Sequence, residues 1–209
     1  MKRITLSALL MTLFLLIGCN NGGAKEGAAI KADGSVIDLK KVSTDIENAV
    51  AFAASVKEVR ILVKSVDELA KAIGKKIKDA DTLDTDNADH NGSLLAGAFQ
   101  IISTVKTKLG DLEQTVGLPN ELKQKITDSK TKTDTFLGKL KTNHSDLGKE
   151  GATDEHAKKA IGQKDGDKGA KELDELHTAI GVLVEAANDA VTSAITALTP
   201  AKAATSKDK

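Results

Sequence analysis

The chain has one cysteine, no tryptophan, no tyrosine and two prolines in 209 residues. A lone cysteine cannot close an intramolecular disulfide or build a cysteine-rich zinc site. Beyond the first twenty residues the only aromatic side chains are Phe52, Phe99 and Phe136. Stacking platforms for bases or sugars are therefore missing. An excess of either charge is missing too: 30 basic and 30 acidic residues give +0. No strong global field draws such a chain to nucleic acid or to anionic lipid. After Ile17 no stretch approaches the roughly eighteen apolar residues of a membrane-spanning helix.

What is present begins at the N-terminus. Lys2 and Arg3 precede an uncharged run from Ile4 to Ile17, closed by Gly18 and Cys19. That run is too short to span a bilayer comfortably, and it ends in small residues as a bacterial export signal does. Leu16, Ile17 and Gly18 in front of Cys19 match the bacterial lipoprotein cleavage pattern. Cleavage before Cys19 is expected, with diacylglycerol and an N-acyl chain on that residue. Membrane lipid is then the first partner. Burial is worth about 0.8 kcal/mol per acyl methylene, so several chains hold a protein stably.

The remainder suits one domain. Residues 1–18 read as signal peptide, 19–41 as a lipid-anchored flexible tether, 42–199 as a helical bundle domain and 200–209 as a disordered polar tail. The fold class is all-α: an elongated bundle of four long helices plus one short one. The first helix is expected from about Ser43 to Ile77, on Ile46, Ala49, Ala53, Val56, Val59, Val63, Val66, Ala70 and Ile73, which recur at steps of three and four. Phe52, Leu62 and Leu69 widen its stripe. An acidic loop from Lys78 to Gly92 follows, and Ser93 is placed to cap a second helix running to about Thr115. Gly117-Leu118-Pro119-Asn120 is a turn signal before a third helix to about Leu140, whose apolar face is thinner. Thr153 caps a short helix that Gly162 stops, and the last helix spans about Ala170 to Leu198.

Motifs for catalysis or metal binding do not emerge. His90, His144, His156 and His177 lack the H-E-x-x-H spacing. An EF-hand started at Asp84 puts Ala88 at its fifth position and Asp89 at its sixth, where an oxygen ligand and glycine are needed. Gly74-Lys75 and Gly138-Lys139 lack the earlier glycine and following hydroxyl of a phosphate loop. The chain reads as a non-enzyme without cofactor. The third helix is locally basic: Lys123, Lys125, Lys130, Lys132, Lys139 and Lys141 outnumber Glu121, Asp128 and Asp134. The plain reading is a solvated helix face. The sharper one is a patch for an acidic ligand such as a host glycosaminoglycan, weakened by salt. Lys57, Glu58 and Arg60 on the first helix suit surface ion pairs better than a binding site.

Several long stretches carry a resemblance. They are Ala72-Ile73-Gly74-Lys75-Lys76-Ile77, His90-Asn91-Gly92-Ser93-Leu94-Leu95-Ala96-Gly97-Ala98-Phe99, Leu147-Gly148-Lys149-Glu150-Gly151 with Thr153-Asp154, and Gly169-Ala170-Lys171-Glu172-Leu173. In these the chain resembles the variable small protein family of spirochaete (Borrelia-type) outer surface lipoproteins, relatives of outer surface protein C. The resemblance implies a helical bundle that forms a parallel homodimer through its first helix, with both termini near the outer membrane. It also implies an antigenic coat facing the cell exterior, met by host antibodies and exchanged by serotype switching. Some relatives carry a second cysteine in the third helix, where this chain has Lys130-Thr131-Lys132-Thr133. Any homodimer here is thus non-covalent. Two other roles compete with display: an adhesin for host glycosaminoglycan or plasma and matrix protein, and a periplasmic assembly factor.

Overall fold

The computed structural model describes residues 28–30, 36–79, 82–86 and 88–198. Leu16, Ile17, Gly18 and Cys19 lie outside the described residues, as does the whole polar tail, 200–209. In chain order the elements are β1 (Ala28–Ile30), β2 (Val36–Asp38), α1 (Leu39–Ala70), β3 (Lys75–Asp79), β4 (Thr82–Thr85), α2 (Gly92–Glu113), α3 (Asn120–Thr142), α4 (His144–Leu147), α5 (Asp154–Ala157), a π turn (Lys158–Gly162) and α6 (Ala170–Thr196). Asp45–Thr196 forms one compact unit, and the described residues on either side of it fall in a second.

In the smaller unit β1 and β2 pair antiparallel, with Ala28 opposite Asp38 and Ile30 opposite Val36. The described part of the range read as a tether therefore holds a short ladder. The Asp38 carboxylate accepts the Lys41 backbone N–H at 3.0 Å. That is an N-cap bond, and it starts α1 at Leu39, a turn before Ser43.

In the larger unit the helices bury one stripe each. Phe52, Ala53, Val56, Val59, Val63 and Val66 of α1 face the core. Leu95, Ala98, Ile102, Val105, Leu109 and Leu112 do so from α2. Phe136 and Ile126 of α3, with Leu176, Ile180 and Leu183 of α6, are among the largest fully buried side chains. Each such side chain contributes about 1.5–3 kcal/mol of transfer free energy. The thin apolar face of α3 has a structural explanation. Ser129 and Thr133 are fully buried in it, and their hydroxyls donate to Lys125 O and Ser129 O one turn back. No hydroxyl is left unsatisfied, so the stripe continues through polar residues.

Ion pairs fix which helices lie side by side. Lys130 pairs with Glu113 and Lys106 with Asp134, so α2 and α3 run antiparallel. Lys132 pairs with Glu175 at 2.7 Å and Lys139 approaches Glu172 at 3.8 Å, so α3 and α6 are antiparallel too. Glu58 meets Lys108 and Asp67 meets His177, each at 2.9 Å, which sets α1 against both α2 and α6.

The helix expected to continue to Ile77 stops at Ala70. Its last turn tightens: Lys71, Ala72 and Ile73 donate to the carbonyls three residues back. Gly74 then takes φ +67°, a left-handed conformation that glycine adopts without strain. Ile73 stays buried, whereas Ile77 is 82% exposed. The acidic loop contains a hairpin, with Lys75 opposite Thr85, Ile77 opposite Leu83 and a bulge before Asp79. All described residues of β3 and β4 are exposed.

Candidate functional site

The loops that join α1 to α2 and α3 to α6 meet at one end of the larger unit, and Asn91 ties them together. Its side chain is 3% exposed. The amide nitrogen donates to Ala152 O at 3.0 Å and to Asp154 Oδ1 at 2.9 Å. Its Oδ1 accepts the Gly74 N–H at 3.3 Å. Gly74 O in turn accepts from Asp86 N at 2.9 Å. Both backbone groups of Gly74 are thus committed to tertiary partners, which is why α1 does not run on. A Cβ at Gly74 would lie 2.1 Å from Asp154 Oδ2.

Neighbouring backbone completes the joint. Asn91 N donates to Ala152 O and Gly92 N to Glu150 O. Asp89 accepts the Asp154 N–H at 2.9 Å. The backbone of Lys149 runs so close that a Cβ at Gly92 would lie 2.2 Å from its carbonyl oxygen. The stretch Ala72 to Ile77, the stretch beginning at His90 and the stretch from Leu147 to Asp154 are far apart in sequence. Here they form one buried hydrogen-bonded joint. Its importance is not legible in any one of them, since asparagine before a helix reads as a local cap.

The cap of α2 shows the consequence. Ser93 was expected to cap it, but the helix begins at Gly92, and Asn91 at the cap position makes no side-chain cap bond. Its amide is used across the joint instead. Thr153, by contrast, caps α5 as the sequence suggested, accepting the His156 N–H at 3.1 Å. Of the histidines, His177 does more than sit on a surface, since its Nε2 lies 2.9 Å from Asp67 Oδ1 and joins α6 to α1.

The six lysines of α3 do not share one face. Lys123 and Lys125, Lys130 and Lys132, and Lys139 and Lys141 are each two residues apart, about 200° around a helix. They form two stripes that flank the buried one. Lys132 and Lys139 turn towards α6, and Lys125 lines a groove beside Val182 of that helix. On the other flank Lys130 pairs with Glu113, and Lys141 Nζ sits 5.6 Å over the ring of Phe99. Hydrogen bonds from Lys130 and Lys132 hold the Glu113 and Glu175 carboxyls below the usual carboxylate range. Lys168 and Lys159 do the same for Asp146 and Glu155. Half of the lysines thus face carboxylates of neighbouring helices.

Among the described residues no helix is long and apolar enough to cross a membrane. Comparison with known proteins places this geometry in a group. Residues 36–204 match a family described as Lipoprotein. Variable small protein 11 of Borrelia hermsii is 48% identical over 207 residues, covering 96% of this chain and 98% of that one. Outer surface protein C of Borreliella burgdorferi is 48% identical over 217 residues, covering 100% of both. Among solved structures, variable small protein 1 of Borrelia turicatae superposes with a TM-score of 0.73 at 52% identity, covering 78% of this chain and 99% of that one. The chain belongs to the variable small protein family of spirochaete surface lipoproteins, relatives of outer surface protein C.

Proposed function

We propose that the chain is a lipid-anchored, antigenically variable surface protein that displays exchangeable loops to the host and serves immune evasion. The observation that carries this reading is the pairing of a buried joint with an exposed hairpin. Asn91, Gly74 and Gly92 hold the loop-bearing end by bonds that tolerate little change. Beyond the shared stretch that ends at Ile77, the adjoining hairpin residues Lys78, Asp79 and Thr82–Thr85 are exposed throughout. Substitutions at exposed positions usually move stability by less than about 0.5 kcal/mol. Such a hairpin can change its side chains, and hence what an antibody meets, while the helices below keep their packing.

In this reading Cys19 carries the acyl chains after cleavage behind Gly18, and the domain stands on the outer membrane facing the exterior. Antibodies are its partners, and a second copy joins it without a covalent link. No reaction is assigned to it. The experiment is exposure of intact cells to protease, followed by immunoblotting. Cleavage of the chain while a periplasmic marker stays whole is expected. A chain cut only after the cells are lysed would overturn display and leave a periplasmic role. The lysines of α3 lend an adhesin reading no support, because they divide between two flanks.

A further inference from the structure

We propose that the cleft between the start of α2 and the end of α3 binds a small amphiphilic anion, a free monocarboxylate with an alkyl or aryl tail. The cleft has a volume of about 430 Å³, within the range of small-ligand pockets. Leu95, Phe99, Leu140 and Leu147 give it an apolar lining, and Lys141 and His144 stand among its walls. Leu95, Leu140 and Leu147 are buried, so this lining is held by the core itself.

The electrostatics select the sign of the ligand. No aspartate or glutamate lines the cleft, in a chain with 30 of them. Lys141 makes no ion pair among the described residues, and its ammonium rests over the face of Phe99. α2 opens at Gly92, in the wall of the cleft, with no side-chain cap bond and no acidic residue in its first turn. The carboxylates at that helix start, Asp89 and Asp154, belong to the joint around Asn91 and do not line the cleft. An apolar tail would replace water against the leucines and Phe99. A carboxylate would then lie near Lys141, where a neutral head group gains nothing.

The test uses the full chain in neutral phosphatidylcholine vesicles and a decanoate bearing a diazirine. On irradiation the label is expected on peptides that contain Leu95 to Phe99 and Leu140 to Leu147. Free decanoate should compete and decanol should not. Ala96 and Lys141 are both exposed, so Ala96→Trp, which obstructs the mouth, and Lys141→Met should keep the helical circular dichroism. Each should cut labelling at least tenfold, and Lys141→Arg should restore it. Equal competition by decanol, unchanged labelling in both variants, or label spread over other peptides would overturn the proposal. So would competition by phosphatidylglycerol vesicles without competition by free decanoate.

Discussion

Asn91 shows how much one side chain can decide. It is three hydrogen bonds deep in a joint whose partners lie 17 to 63 residues away. Asn91→Ala should cost about 1–3 kcal/mol, the penalty for leaving buried polar groups unpaired. Urea denaturation should show this as a lower midpoint at unchanged slope. A midpoint equal to that of the parent would mean the joint carries no stability. Gly74→Ala meets two obstacles, φ +67° and an Asp154 oxygen 2.1 Å from the new Cβ. Its cost should exceed about 1 kcal/mol in the same measurement. Thr133 is a contrast. Its hydroxyl donates to Ser129 O, which also accepts a backbone N–H in a regular helix. Thr133→Val should change stability by less than about 1 kcal/mol, whereas Phe136→Ala, fully buried nearby, should cost about 3–5 kcal/mol.

At the scale of the element, α3 is held by its core face and by lysines on either side of it. Glu113 and Glu175 are kept ionised below their ordinary range by Lys130 and Lys132. A carboxyl whose folded value is depressed adds stability above its unfolded value and loses it as pH falls through the folded one. The melting temperature should therefore stay level from neutral pH down to about 5 and drop below about 4. Replacing Lys130 and Lys132 together by Met should make that drop shallower. A double variant with the parent's acid profile would show that these pairs do not tie α3 to its neighbours. That the lysines fall on two flanks was legible from their spacing, once read at about 100° per residue. Their carboxylate partners were not, because Glu113 and Glu175 belong to other helices.

At the scale of the whole molecule two expectations concern association. Cys19→Ala should abolish labelling by radioactive palmitate and release the chain from the membrane fraction. A labelled, membrane-bound variant would remove the lipid anchor from the proposal. Self-association has a candidate residue on α1: Ile61 is 64% exposed, although Val59 and Val63 beside it are fully buried. Sedimentation at tens of micromolar should show a dimer, and Ile61→Lys should shift it towards monomer. A parent chain that sediments as monomer would count against the non-covalent homodimer.

The sequence by itself determined the helical class, the buried stripe along the middle of α1 and the cap at Thr153, since these depend on neighbours within a turn or two. Val56, Val59, Val63 and Val66 are buried where a three-and-four spacing puts them. Only the tertiary structure decided where α1 ends, what Asn91 binds and which carboxylates meet the lysines of α3. Local propensity would carry α1 through Gly74 and have Ser93 cap α2. Both outcomes were overruled because the Gly74 N–H, the Asn91 amide and the Asp154 carboxylate satisfy one another only when three distant stretches meet. A buried polar group takes the partner that the whole fold provides.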